Sequence, residues 1–240
     1  MSKIQLRKQY AKQEYKMSKK KHKDKHKETR PAEGIESEEQ EIEKIDLEQH
    51  KPEDNVVIEE IKLKEPIRGH LIGNKVAITE DFQLAQQFYD RSSFGELHGV
   101  KEKRLELALD EALYLIERGK LIVFDNKKQL KFEEFVRKAN KSEKNFWTRY
   151  QVYRDIRTRG YITKTALKFG ADYRIYPRGI KPGQDHAKWV LFCTAEGESY
   201  TWRQFAAMNR VAHSTRKRLL VGIVDAEGEI TYYVVRWHKP

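Results

Sequence analysis

The chain has 240 residues, of which 38% are hydrophobic and 35% charged, with a formal net charge of +11. That length allows one large domain or two small ones with a real core, and a basic balance of this size points to a polyanionic partner, most simply nucleic acid. A lone cysteine, Cys193, excludes an internal disulfide and a multi-cysteine zinc site, and the lack of any apolar run near 18 residues or of a signal-peptide apolar stretch predicts a soluble, cytoplasmic protein with no membrane partner.

Charge is distributed in blocks. Residues 1–30 hold twelve Lys and Arg against three acids, and residues 31–65 hold four against thirteen. The two blocks cancel, so the remaining residues carry the whole surplus. Residues 1–60 have too few apolar side chains to offset the entropy of ordering them and are expected to form a disordered charged extension. That extension reads either as a solvated tail or as a basic arm adding non-specific RNA affinity. His22 and His26 lie inside its lysine run, where dense positive charge disfavours a metal.

Folded structure is expected from residue 61. "IKLKEPIRGHLIGNKVAI" predicts short strands broken by Pro66, Gly69 and Gly73. "TEDFQLAQQFYDRSSFG" predicts a helix capped by Thr79, with Phe82, Ala85, Gln86 and Tyr89 at helical spacing. "RLELALDEALYLIERGK" predicts another, with Leu105, Ala108, Leu109, Ala112, Leu113 and Ile116 in one stripe and Gly119 as its stop. "LIVFD" is a buried strand and "KFEEFVRKA" an amphipathic helix. Residues 61–142 thus form a small α+β domain.

Residues 143–240 form a second domain. "FWTRYQVYRDIRTRGYI" predicts a helix with Phe146, Tyr150, Tyr153 and Ile156 on one face and arginines elsewhere. "KFGADYRIYPRG", "HAKWVLFCT", "LLVGIVDA" and "EITYYVVRWH" predict strands, with Cys193 a small buried hydrophobe. Between them "YTWRQFAAMNRVAHSTRK" predicts one helix with Phe205, Met208 and Ala212 inward. The order helix, two strands, helix, two strands indicates a mixed sheet with a helix packed on it. The fold class is therefore α/β (α+β) in two domains.

Metal-dependent nuclease chemistry needs carboxylates converging on Mg²⁺. Asp172, Asp185 and Asp225 fall in different elements, and His98, His213 and His238 lack ligand spacing. No phosphate-binding glycine loop or nucleophile elbow occurs, so no metal and no cofactor is expected. RNA offers a route without metal, because its 2′-OH can attack the adjacent phosphodiester. A base must take the hydroxyl proton, an acid must protonate the leaving 5′-oxygen, and a cation must steady the developing charge. Tyr, His and Lys or Arg suffice, and "YPRGIKPGQDHAKWVLF" supplies them at the two ends of a stiff basic loop.

The segments "GADYRIYPRG", "HAKWVLF" and "RVAHSTRKRLLVGIVD" closely resemble the catalytic domain of archaeal tRNA-splicing (tRNA-intron) endonucleases, over roughly residues 61–240. The resemblance implies a C-terminal mixed-sheet domain of restriction-endonuclease-like type. It also implies a metal-independent cut at the exon–intron junctions of precursor tRNA, leaving 2′,3′-cyclic phosphate and 5′-OH ends. By it Tyr176 is the general base, His186 the general acid and Lys217 the stabiliser of the transition state. The alternative is a non-catalytic RNA-binding subunit of the same complex.

The resembled family recognises a bulge–helix–bulge element. By position Arg210 is expected to stack on a bulge base, with Arg236 or Trp237 of the last strand as the other half of the clamp; alternation puts those two on opposite faces. Arg178 is expected to meet the RNA within the basic loop. Two cuts imply at least two sites in an assembly. The apolar strand from Ile230 to Trp237 is hazardous as an exposed edge and is expected to pair between copies. The acidic loop of Asp225, Glu227 and Glu229 reads either as a hairpin turn or, by resemblance, as a plug for a basic groove on a neighbour. A homotetramer is expected first, with a homodimer or a heterotetramer containing a paralogue as alternatives.

Overall fold

The computed structural model describes residue 61, residues 63–98 and residues 103–237. The charged extension with His22 and His26, and His238 near the other end, lie outside these residues.

Six strands, β1 Ile67–Ile72, β2 Lys75–Ile78, β3 Glu96–His98, β4 Arg104–Ala108, β5 Leu121–Asp125 and β6 Lys128–Gln129, build one sheet in the order β3-β4-β2-β1-β5-β6. β1 runs antiparallel to β2 and parallel to β5. Among the described residues four helices accompany it in chain order: α1 Phe82–Ser92, α2 Leu109–Glu117, α3 Phe132–Ser142 and α4 Phe146–Thr158. β7 Ile162–Thr165, β8 Tyr173–Tyr176, β9 Trp189–Ala195, β10 Arg218–Val224 and β11 Ile230–Val235 form a second sheet, order β11-β10-β9-β8-β7, with α5 Trp202–Ser214 between β9 and β10 in sequence. β9 and β10 are parallel and β10 and β11 antiparallel, so this sheet too is mixed. The α+β class follows. The described chain packs as two units, residues 61–165 with 174–188 and residues 166–173 with 189–237.

In the first unit several local expectations are corrected. Gly69 does not break the strand but sits inside β1, where a Cβ would stand 2.7 Å from Val76 Cγ1; close approach, not a turn, requires glycine there. Thr79 is not the cap of α1, which begins at Phe82 after Asp81. Its buried residues are Ala85, Phe88 and Ser92, and Tyr89 is exposed.

The stretch "RLELA" is a strand. Leu105 and Leu107 are buried against Ile78 and Val76 in the register of β2, while Arg104 and Glu106 point away, a period of two that the following helix masks. Only Leu109–Glu117 is helical, ending before Gly119 as expected. Glu106 gathers Lys75 at 2.8 Å, Arg104 at 2.7 Å and His98 at 3.1 Å. The hydrogen bond from Lys75 holds its carboxyl below the usual range. Such partly exposed pairs contribute little stability.

α4 buries Phe146, Trp147, Tyr150, Tyr153 and Ile156. Burial pushes the Tyr153 phenol well above its ordinary range, so it stays neutral. The expectation that arginines occupy the other faces fails at Arg157, which is 3% exposed. Its Nη2 donates to the Ser92 carbonyl at 2.8 Å, and its guanidinium lies 4.0 Å over the Phe94 ring. A second buried charge, Glu111, accepts from the backbone N–H groups of Gly95 (3.1 Å) and Ala108 (3.0 Å) and from Lys164 Nζ (3.3 Å).

The second unit is a strand-and-helix core. Val190, Leu219, Ala212, Ala166 and Ala171 are buried together, with Phe192, Met208 and Val235 packed against them. Cys193 is buried, as expected. The expected pair of strands ahead of α5 is three, because the preceding helix stops at Thr158 and Ile162–Thr165 is a strand of its own. Among the described residues no helix is long and apolar enough to cross a membrane.

Candidate active site

β8 ends at Tyr176, and the chain leaves it as a loop that returns where the Lys188 N–H donates to the Ile175 carbonyl at 2.9 Å. The two ends of the loop are therefore neighbours. Tyr176 is 5% exposed and packs with Ile162, Ala187 and half-buried Ile180, which sets it against the residue that follows His186. His186 is exposed, and its N–H donates to Asp185 Oδ1 at 2.6 Å.

Between those ends the loop folds as successive turns. Ile180 N–H donates to the Pro177 carbonyl at 3.2 Å and Gln184 N–H to the Lys181 carbonyl at 3.0 Å, while Gln184 Oε1 accepts from Lys181 N–H at 2.9 Å. Gly179 and Gly183 occupy left-handed backbone, at φ 80° and 96°, which these reversals need. Pro177 and Pro182 remove further freedom. The loop is a run of hydrogen-bonded turns with both prolines inside it.

Its cations are seated on protein. The Arg178 guanidinium lies 5.0 Å over the Tyr161 ring, and Lys181 Nζ donates to the Asp90 carbonyl at 2.7 Å, clipping the loop to α1. Sequence reasoning missed this clip, because its partner is 91 residues away and carries no local signal. Lys181→Met should speed amide exchange across residues 177–187 by about 2- to 10-fold, the loss of one hydrogen bond of about 0.5–1.5 kcal/mol. Exchange unchanged in that loop would show the clip to be idle.

Lys217 is delivered by the way α5 ends. The Lys217 N–H donates to the Ala212 carbonyl at 2.8 Å and the Arg216 N–H to the His213 carbonyl at 3.0 Å, the paired bonds of a Schellman ending. The left-handed position is taken by Arg216 at φ 53° instead of glycine. This turn brings the chain straight into β10, with Lys217 half-buried at its mouth and its Nζ on the Thr215 carbonyl at 2.9 Å.

Tyr176 and His186 thus stand together in one unit, on one loop. Lys217, Arg210, Arg236 and Trp237 stand in the other. Arg210 lies on the exposed face of α5. β11 ends at Val235, two residues short of the expected Trp237, so strand alternation does not assign Arg236 and Trp237 to opposite faces. Both are exposed, and the Trp237 ring meets His213 at 5.0 Å, near edge to face.

Two aspartates of this half serve the backbone and a glutamate serves two hydroxyls. Asp172 Oδ2 accepts from Cys193 N–H at 2.8 Å. Asp225 Oδ1 accepts from Glu227 and Glu229 N–H at 3.0 and 2.8 Å, closing the β10–β11 hairpin and leaving Glu227 and Glu229 exposed. Glu198 Oε2 accepts from the hydroxyls of Thr194 at 3.0 Å and Tyr200 at 3.1 Å, and partial burial pushes the Tyr200 phenol up to about 12. Among the described residues no three His, Cys, Asp or Glu side chains gather as metal ligands.

Comparison with known proteins defines the class first. Residues 146–232 match the catalytic C-terminal domain of tRNA intron endonuclease, and residues 67–136 match the N-terminal domain of tRNA intron endonuclease. The tRNA-splicing endonuclease of Thermococcus onnurineus (strain NA1) is 40% identical over 177 residues, covering 74% of this chain and 99% of the relative. That of Methanothermobacter thermautotrophicus (strain ATCC 29096 / DSM 1053 / JCM 10044 / NBRC 100330 / Delta H) is 37% identical over 174 residues, 72% of this chain and 99% of the relative. That of Nanoarchaeum equitans (strain Kin4-M) is 44% identical over 153 residues, 61% of this chain and 97% of the relative. The chain belongs to the tRNA-splicing endonuclease family.

Proposed function

We propose that this protein is a tRNA-splicing endonuclease that cuts precursor tRNA at exon–intron junctions within a bulge–helix–bulge element. The reaction is a transesterification without metal. The 2′-oxygen bonds to phosphorus as the bond to the 5′-oxygen breaks, leaving a 2′,3′-cyclic phosphate and a 5′-OH. Tyr176 takes the 2′-OH proton, His186 gives a proton to the 5′-oxygen, and Lys217 stabilises charge on the phosphoryl oxygens. The observation that carries this reading is the closed loop of residues 176–188, which sets a tyrosine and an exposed histidine at its two adjoining ends. The relatives' activity supplies the substrate class for this reading.

Arg210 stacks on a bulge base, with Arg236 or Trp237 opposing it. We divide the chain into the charged extension of residues 1–60, an N-terminal domain of residues 61–142 and a catalytic domain of residues 143–240, in a cytoplasmic enzyme. Two cuts call for at least two sites, and a homotetramer provides them. β11, an edge of its sheet, and the exposed Glu227 and Glu229 supply assembly surfaces.

The test is single-turnover cleavage of a bulge–helix–bulge RNA in excess EDTA, with end-group analysis. Cuts in both bulges ending in 2′,3′-cyclic phosphates support the reading. Specific binding without cutting would make the chain a non-catalytic subunit, and cutting abolished by EDTA would assign it metal chemistry.

A further inference from the structure

Trp202 is 85% exposed, the most exposed large hydrophobic side chain of the described residues. It opens α5, held edge-on to the Phe205 ring at 6.1 Å and 81°. Neither the core nor the proposed chemistry uses it. The exposed residues Trp202, Arg203, Ala206, Arg210 and His213 fall within about 100° of arc on a helix of 3.6 residues per turn. Ala206, the smallest of them, lies at the centre of that arc, so the face is a shallow trough with an indole at one end. Trp202 and Arg210 are about 12 Å apart along the axis.

Electrostatics selects what fits there. From Tyr200 to Val224 the sequence contains five Lys and Arg and no Asp or Glu. Glu198, the acid just before this stretch, is engaged by Thr194 and Tyr200. A planar ring beside fixed cations, on a face without carboxylates, matches a single strand in which bases alternate with phosphates. A membrane surface would need a broader apolar face than one indole.

We propose that Trp202 is a stacking platform for an unpaired base of the RNA, on the same strand as the base held by Arg210, with Arg203 meeting a phosphate beside the platform. This rests on the endonuclease reading above and adds a substrate-positioning residue to it.

The test uses the full-length protein and a bulge–helix–bulge RNA. Trp202→Ala should weaken RNA binding and raise KM by about 5- to 150-fold, the loss of one base stack, and Trp202→Phe should recover most of it. Replacing the unpaired nucleotides one at a time by abasic residues should reveal one position at which Trp202→Ala costs nothing more. Arg203→Ala should make log K against log salt shallower by nearly one. Wild-type affinity in Trp202→Ala, or a penalty equal for every abasic RNA, overturns the platform. So does a changed sedimentation coefficient in Trp202→Ala, which would make this face a subunit contact. If the wild-type protein neither binds nor cuts the RNA, the endonuclease reading fails and takes the platform with it; if it cuts while Trp202 is indifferent, the platform alone fails.

Discussion

His186→Ala is expected to lower the single-turnover rate of RNA cleavage by about 10²–10⁴-fold, the span that a positioned general acid contributes, while binding of the uncut RNA and the stability of the protein should persist. The separation follows from where the residue lies. His186 is exposed, so truncating it opens no core cavity and the change in stability stays within about 0.5 kcal/mol. Its backbone is held independently of the ring, by Asp185 at one side and by the Lys188 to Ile175 hydrogen bond just beyond. The loop therefore keeps its shape when the imidazole is gone. With His186 as the proposed general acid the fall in rate would report proton transfer to the 5′-oxygen, and an RNA carrying a leaving group that needs no protonation, a 5′-sulfur, should be cut almost equally well by both forms. A loss of melting temperature in step with activity would assign the histidine to structure instead.

The largest effect on folding is expected at Glu111. Glu111→Ala should lower the free energy of unfolding by about 3–5 kcal/mol, read from urea titrations. One carboxylate, 6% exposed, joins three parts of the first unit: the N–H of Gly95 before β3, the N–H of Ala108 at the start of α2, and Lys164 of β7. Alanine leaves both N–H groups without this acceptor and an ammonium 11% exposed without its counter-charge. Against a typical total of about 5–15 kcal/mol that is a large share. Glu111→Gln keeps the shape and one acceptor and should cost less. A loss below about 1 kcal/mol in the alanine variant would mean that water takes over the carboxylate's role.

Legibility in the sequence followed the range of the interactions. The turns of the loop of residues 176–188 were readable because prolines, glycines and turn-forming residues act over two or three positions. α5 was readable because Phe205, Met208 and Ala212 recur at helical spacing; its cap, in which Thr201 Oγ1 accepts from the Gln204 N–H at 3.3 Å and Gln204 Oε1 accepts from the Thr201 N–H at 2.8 Å, went unread. "RLELALDEALYLIE" was misread because a strand with period two runs without a break into a helix, and the summed pattern resembles one long helical stripe. The end of β11 was misplaced because nothing in "VVRWH" marks where its ladder with β10 stops; Val235 pairs with Leu219, the second residue of β10.

By itself the sequence determined the element types in most of the described residues, the turns of the loop, the burial of Cys193 and the motifs that place the protein in its family, since each depends on neighbouring residues or on residue type. Only the tertiary structure decided which charges face solvent. Arg157, Lys164 and Lys181 look like surface cations in one dimension. In the fold they donate to the carbonyls of Ser92, Gly95 and Asp90, which lie 65, 69 and 91 residues away. A long cationic side chain is fixed in place, buried as at Arg157 or half-buried as at Lys181, when a distant backbone oxygen is brought within hydrogen-bond reach, and that proximity is a property of the packed chain.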